Sequence, residues 1–136
     1  MIKTHISLYM KGVYLLLSFI LVSTLAYSIE FTEHVITTSA DAAFSVYAAD
    51  IDGDGDMDVL SASITDDTIA WYENNGSENF TKIDITTSAD GAFSVFAVDV
   101  DGDGDMDVLS ASFNDDTIAW YENDGSQVFT KIDITI

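Results

Sequence analysis

Two short acidic segments carry the residues best suited to chemistry in this chain. The first reads Asp-Ile-Asp-Gly-Asp-Gly-Asp-Met-Asp from Asp50 to Asp58, and the second, from Asp99 to Asp107, differs only by valine at the second position. Five carboxylates within nine residues repel one another unless a cation lies among them. Oxygen ligands at alternate positions, with glycine sixth for a sharp turn, suit a hard divalent cation such as Ca²⁺.

Two other interpretations of these segments compete with a calcium-binding loop. An EF-hand loop begins similarly but needs a bidentate Glu at position 12 and flanking helices, whereas position 12 here is Ser61 or Ser110 and the flanking residues favour strands. A solvated acidic turn without metal remains the alternative, although two copies with identical spacing argue against it. We expect the metal to stabilise the fold rather than to take part in a reaction.

The acidic segments belong to a longer repeat. Phe31, Phe80 and Phe129 lie 49 residues apart, and residues 31–79 and 80–128 are identical at 37 of 49 positions. Many identities lie outside the acidic segments, so the repeat is a complete structural unit. A period of 40 to 50 residues is typical of propeller blades and of some solenoids.

Each repeat contains four segments of β-branched and aromatic residues bounded by turn residues. In the first copy they cover residues 44–51, 58–63, 68–74 and 80–86, and the last has its counterpart at residues 129–135. Asn75-Gly76 is a hairpin signal between the third and fourth. Helical periodicity is absent, so we predict an all-β fold with two four-stranded antiparallel propeller blades, a partial β-propeller. The acidic loop joins the first two strands of each blade.

The chain divides on this phasing into a targeting segment and three further parts. Residues 29–42 hold a leftover outer strand (31–37) and a linker, and the two blades cover residues 43–86 and 92–136. Residues 1–28 predict a secretory signal peptide, with Lys3 and Lys11 first, an uncharged stretch from 12 to 29, and small residues at Ala26 and Ser28. An uncleaved membrane anchor is the alternative. Both predict a secreted or cell-surface protein, with membrane contact only through this segment.

Charge and composition exclude several functions. The chain has 24 acidic against 4 basic residues, with a formal charge of −20, which disfavours nucleic acid and anionic lipid as partners. Cysteine is absent, so thiolate chemistry is excluded. His34 is the only histidine after residue 28 and no nucleophile elbow occurs, so we predict no enzyme activity.

The acidic loops and the motifs around them resemble a known repeat. Phe44-Ser45-Val46, the Asp-x-Asp-Gly-Asp-Gly-x-x-Asp loop, Val-Leu-Ser-Ala-Ser and Ile-Ala-Trp-Tyr-Glu-Asn are similar to the FG-GAP/VCBS-type repeat of bacterial extracellular proteins, which is related to the integrin α-subunit propeller. The resemblance covers about residues 31–136. It implies one Ca²⁺ per repeat, two in total, held by side chains at loop positions 1, 3, 5 and 9 and by the backbone carbonyl at position 7. Those residues are Asp50, Asp52, Asp54, Asp58 and, through backbone, Asp56, and in the second copy Asp99, Asp101, Asp103, Asp107 and, through backbone, Asp105.

These features together favour a secreted calcium-binding repeat module for adhesion or molecular recognition, with a protein or carbohydrate ligand. The alternatives are a fragment or accessory domain of a larger extracellular enzyme, and a purely structural calcium-holding surface protein. Closed propellers need roughly 4 to 8 blades, and fewer than about three repeats are seldom stable alone. We therefore expect self-association or further propeller blades.

Overall fold

Eight β-strands make up the regular structure of residues 29–133, the part of the chain that the computed structural model describes. They are β1 (Ala43–Ala49), β2 (Asp58–Ser63), β3 (Thr68–Asn74), β4 (Phe80–Thr86), β5 (Ala92–Val98), β6 (Asp107–Ser112), β7 (Thr117–Asn123) and β8 (Phe129–Asp133). The predicted signal peptide, residues 1–28, lies outside the described residues. Within 29–133, no helix has the length and apolar character needed to cross a membrane.

The strands form two antiparallel four-stranded sheets with the same topology. The order is β1-β2-β3-β4 in the first sheet (blade 1) and β5-β6-β7-β8 in the second (blade 2). The register also repeats with the sequence period, because Leu60 lies opposite Trp71 in blade 1 and Leu109 lies opposite Trp120 in blade 2. The predicted all-β fold with two four-stranded antiparallel sheets is confirmed.

The first strand ends earlier than its residue types predict. The β-type segment continues to Ile51, but β1 stops at Ala49. The backbone N–H of Ile51 donates to the side-chain carboxylate of Asp58 at 3.0 Å instead of to a backbone carbonyl of β2. The acidic loop therefore begins at Asp50, and Ile51 is buried beneath it, 2% exposed.

Residues 31–37 form no strand, although their likeness to β4 predicts an outer strand there. An outer strand exists only as part of a ladder, because its backbone groups need partners on a neighbouring strand. Within the described residues, the two sheets have their four strands each without this segment. Residues 31–37 therefore do not form the predicted outer strand, in spite of their β-type residues.

The connection between β3 and β4 is longer than a two-residue hairpin. Residues 75–79 separate the strands, and the Asn75 N–H donates to the Asn79 carbonyl at 3.2 Å. Positive φ occurs at Gly76 (75°) and at Glu78 (59°). The predicted hairpin is present, but it is a five-residue turn in which the glycine has the left-handed conformation.

One face of blade 1 packs against the opposite face of blade 2. The apolar side chains of this interblade core are Leu60, Ala62, Ile69 and Trp71 from blade 1 and Val95, Ala97, Val108, Ala119 and Tyr121 from blade 2, all at most 4% exposed. Burying each large side chain contributes about 1.5–3 kcal/mol. Trp71 also lies edge-on to Phe129, with ring centroids 6.4 Å apart. This tryptophan therefore packs in the core and is not presented to a ligand.

Candidate metal centre

The acidic loop of blade 1 joins β1 to β2, and its carboxylates fold it. Asp50 accepts hydrogen bonds from the backbone N–H groups of Gly53, at 2.8 Å, and Gly55, at 3.1 Å. Asp52 accepts from the Asp54 N–H at 3.1 Å, and Asp54 accepts from the Asp56 N–H at 2.8 Å. Each aspartate thus accepts a hydrogen bond from a backbone N–H two to five residues later, and these bonds fold the loop.

The loop of blade 2 repeats this pattern. Asp99 accepts from Gly102 at 2.6 Å and from Gly104 at 3.1 Å. Asp101 accepts from Asp103 at 3.2 Å, and Asp103 accepts from Asp105 at 2.9 Å. The loop conformation is therefore a property of the local sequence, because it forms twice in the same way at the same position of each sheet.

Asp58 has a different environment from the other loop carboxylates. Its side chain is 0% exposed, and its two oxygens accept from the Ile51 N–H at 3.0 Å and from the Asn74 N–H at 2.7 Å. Asp107 is 1% exposed and accepts from Val100 at 3.0 Å and Asn123 at 2.8 Å. Each buried carboxylate therefore connects the start of its loop, the second strand and the end of the third strand.

Asn74 and Asn123 support the loop in a way that the sequence patterns did not reveal. Asn74 Nδ2 donates to the Met57 carbonyl at 3.1 Å, and its Oδ1 accepts from the Gly76 N–H at 3.2 Å. Asn123 makes the same two contacts in blade 2, with Met106 and Gly125. The only sequence signal was that this position is asparagine in both copies whereas the next residue differs.

Three of the predicted ligand residues converge in each blade. Oxygen atoms of Asp50, Asp52 and Asp58 all lie within 4.8 Å of one another, and so do those of Asp99, Asp101 and Asp107. The donors in both triads are carboxylate oxygens, which fit a hard divalent cation and not a thiolate-seeking or imidazole-seeking metal. The two acidic triads, one per repeat, could therefore hold a metal ion.

The remaining predicted ligands lie outside the triads. Asp54 and Asp103 are exposed, and each accepts the N–H of the second residue after it. The carboxylate of Asp56 lies against Gly76, where a Cβ would come within 2.5 Å of its Oδ2. Asp105 has the same relation to Gly125. These two side chains face the β3–β4 and β7–β8 turns. That the backbone carbonyl of each residue binds the metal stays a prediction.

The clustered charges alter acid–base behaviour in both loops. Partial burial raises the pKa of Asp52, and the charges of Asp54, Asp58 and Asp50 raise it further, against a lowering by the Asp54 N–H. Desolvation, followed by the charges of the other four loop aspartates, raises the pKa of Asp105. A cavity of about 250 Å³ between the two loops is lined by both of these residues. The carboxylates therefore repel one another within each loop.

Comparison with known families agrees with the repeat. The model of the FG-GAP-like repeat matches residues 24–61, 52–110 and 99–136, which together span most of the chain. Searches of curated proteins and of solved structures each found no significant match. Repeats of this family are typically extracellular, non-catalytic recognition modules. From these matches and from its two repeated four-stranded sheets, the chain belongs to the FG-GAP-like repeat family.

Proposed function

We propose that this chain is a secreted, calcium-binding β-propeller repeat module that serves molecular recognition or adhesion, in which the metal has a structural role. The observation that carries the proposal is the acidic triad at the same place in both blades. Each triad includes a buried aspartate, at the start of the second strand of its blade, that is hydrogen-bonded to the acidic loop and to the end of the third strand. A cation bound there would join the loop to the sheet rather than activate a substrate.

Calcium is the cation that best suits this arrangement. Calcium accepts 6–8 oxygen ligands in flexible geometry, whereas Mg²⁺ demands a near-ideal octahedron and keeps several waters. The loops offer closely spaced carboxylates on a glycine-containing backbone, and Gly53 and Gly55 have φ of 77° and 98°. We expect a weak affinity, about 10⁻⁴–10⁻³ M, as in other extracellular modules.

The family match favours a recognition role, and the bonding of the buried aspartates favours a structural role for the loops. Asp58 and Asp107 are held by two backbone N–H groups each, which is the environment of a structural carboxylate. The other acidic residues of the triads lie on the same loops, next to further carboxylates. The surface of the two blades would then provide the recognition site for a protein or carbohydrate ligand.

The ligand assignment predicts site-specific losses of calcium affinity. Asp54→Ala is expected to weaken the first site by about tenfold, one lost charge-assisted contact being worth about 1.5 kcal/mol, and to leave the second site unchanged. Asp103→Ala should weaken only the second. Isothermal titration calorimetry with Ca²⁺ measures both sites, and Asp84→Ala, an exposed residue on β4, is the control for a lost charge. Equal losses from Asp84→Ala and Asp54→Ala would contradict the assignment.

Export is tested separately. When the full sequence is expressed in a bacterium with a secretory pathway, we expect the protein outside the cytoplasm with Ile29 as its first residue, because Ala26 and Ser28 are the small residues that a signal peptidase requires. Mass spectrometry of the exported protein measures its N-terminus. Retention of the intact chain in the cytoplasm would rule out the secreted localisation.

A further inference from the structure

The sheet faces at the two ends of the blade pair are equivalent to the two faces buried between the blades. Because the chain repeats every 49 residues, each residue of the interblade core has a counterpart in the other blade. A side chain that is buried in one blade while its counterpart is exposed in the other marks a sheet face on which no second blade is packed.

Blade 2 exposes the face that blade 1 buries. Leu60, Ala62 and Ile69 are each 0% exposed against blade 2. Their counterparts Leu109, Ala111 and Ile118, together with Trp120, form what we call the trailing face. Ile118 is 54% exposed, and the other three are half-buried.

Blade 1 exposes part of the face that blade 2 buries. Strand β5 makes most of the contacts of blade 2 with blade 1, and its Val95 and Ala97 are 4% and 2% exposed. The counterparts on β1 are Val46, which is 71% exposed, and Ala48, which is exposed. On β3 of the same face, Ala70 and Tyr72, the counterparts of Ala119 and Tyr121, are buried, so the exposure is confined to β1. We call Val46 and Ala48 the leading face.

A loop also joins the two blades by hydrogen bonds. The N–H of Ala89 donates to the Asp67 carbonyl at 2.9 Å, and the N–H of Gly91 donates to the Asp67 carboxylate at 2.8 Å. Both loop residues are buried. Asp67 thus accepts hydrogen bonds from the segment that precedes β5, and it is therefore the receiving residue of this contact. Its backbone has a positive φ of 54°.

The counterpart of this receiving residue is open. Asp116 has the same backbone conformation as Asp67, with φ of 53°. It borders a cavity of about 320 Å³ together with Phe93, Phe113 and Ile118. The Phe93 ring is stacked on the Phe44 ring, with the two centroids 3.9 Å apart. Blade 2 therefore carries a receiving site for a loop of the same kind, next to the trailing face.

The counterpart of the inserted loop is present and already shaped. Residues 39–42 read Ser-Ala-Asp-Ala where residues 88–91 read Ser-Ala-Asp-Gly, and Ala42 has φ of 53° against 69° at Gly91. The carbonyls of Ala42 and Asp41 accept from Ile64 and Thr65 of blade 1, at 3.2 and 3.3 Å. Their counterparts Gly91 and Asp90 are held to blade 2 in the same way.

We propose that a second copy of this chain docks head to tail, with its leading face and residues 39–42 on the trailing face and Asp116 of the first copy. The contact repeats the step that already joins blade 1 to blade 2, with the Ala42 N–H donating to the Asp116 carboxylate. Such a contact is heterologous, so it closes into a ring when the rotation permits. Closed propellers of roughly 4 to 8 blades correspond to about two to four copies of this two-bladed chain.

Sedimentation of the protein expressed from its full sequence, in 0.15 M salt with millimolar Ca²⁺, tests this inference. The wild type is expected to sediment as an oligomer. Val46→Asp and Ile118→Asp change side chains that are 71% and 54% exposed, so each variant should fold and each should be monomeric alone. Val128→Asp, at a 57% exposed turn residue outside both faces, should remain oligomeric.

Mixing the two monomeric variants distinguishes this contact from other modes of association. Val46→Asp keeps the trailing face and Ile118→Asp keeps the leading face, so an equimolar mixture should form a 1:1 dimer that does not grow further. Unchanged near-ultraviolet circular dichroism confirms that each variant is folded. A monomeric wild type at about 100 μM, an oligomeric Ile118→Asp variant, or a mixture that stays monomeric would each overturn the proposal.

Discussion

Asp58→Ala is expected to lower the free energy of unfolding by about 2–5 kcal/mol even when calcium is absent. The substitution leaves the Ile51 and Asn74 N–H groups without their acceptor, and a buried unsatisfied group costs about 1–3 kcal/mol. The side chain is 0% exposed, so water cannot easily replace it. Asp107→Ala should have a similar effect in blade 2, where the partners are Val100 and Asn123.

Urea denaturation in excess EDTA measures this loss without any contribution from metal. Asp52→Ala is the matched control, because it removes another carboxylate of the same triad that accepts one loop N–H. Its removal also relieves repulsion within the loop, so we expect a much smaller loss in EDTA. Asp58→Asn keeps one strong acceptor and should fall between the two. Stability of Asp58→Ala within about 0.5 kcal/mol of the wild type would show that the carboxylate does not anchor the sheet.

Calcium is expected to raise the melting temperature of the wild type by more than about 10 °C. Binding to the native state adds RT ln(1 + [L]/Kd), about 1.4–2.7 kcal/mol per site at 10 mM Ca²⁺ for a dissociation constant of 10⁻³–10⁻⁴ M. Two sites therefore contribute about 3–5 kcal/mol, and 1 kcal/mol shifts the midpoint of a domain of this size by about 4–8 °C. Differential scanning calorimetry in EDTA and in calcium measures the shift, and magnesium at the same concentration should give a smaller one.

The physical reason for this increment is the cost of keeping the loop carboxylates ionised, which comes from desolvation first and from mutual repulsion second. Burial and neighbouring charge raise the pKa of Asp52 and of Asp105, which means that the metal-free fold disfavours their ionised form. A divalent cation bound at the triad would offset that penalty and would connect the loop to Asp58 or Asp107, whose carboxylates accept hydrogen bonds from the ends of β3 and β7. Calcium would therefore stabilise each blade through groups that span its strands.

Much of the fold could be predicted because local signals and the repeat agree. Strands β2, β3 and β4 have the bounds that their residue types predict, since acidic turns and the Asn-Gly dipeptide bound them. The 49-residue period predicted that the repeat is a complete structural unit, and the two sheets indeed share one register. The acidic spacing predicted a cation site, and the structure brings together three of the five aspartates in each loop.

The remaining features depend on contacts that distant parts of the chain make. Spacing alone could not show that Asp58 accepts from Asn74, 16 residues away, because that contact needs β2 and β3 already paired. Residues 31–37 have strand-like composition, but the described structure assigns no strand to them. Ile69 and Ile118 occupy identical sequence contexts, yet one is 0% and the other 54% exposed, since only blade 1 has a blade packed on that face.

Thermal unfolding of the wild type and of the double variant Asp52→Asn/Asp101→Asn, in EDTA and in 10 mM Ca²⁺, tests the central claim most directly. The claim is that each repeat holds a calcium ion that stabilises its blade. We predict that calcium raises the wild-type midpoint by more than about 10 °C and leaves the midpoint of the double variant almost unchanged. Equal midpoints of the wild type in EDTA and in calcium would contradict it.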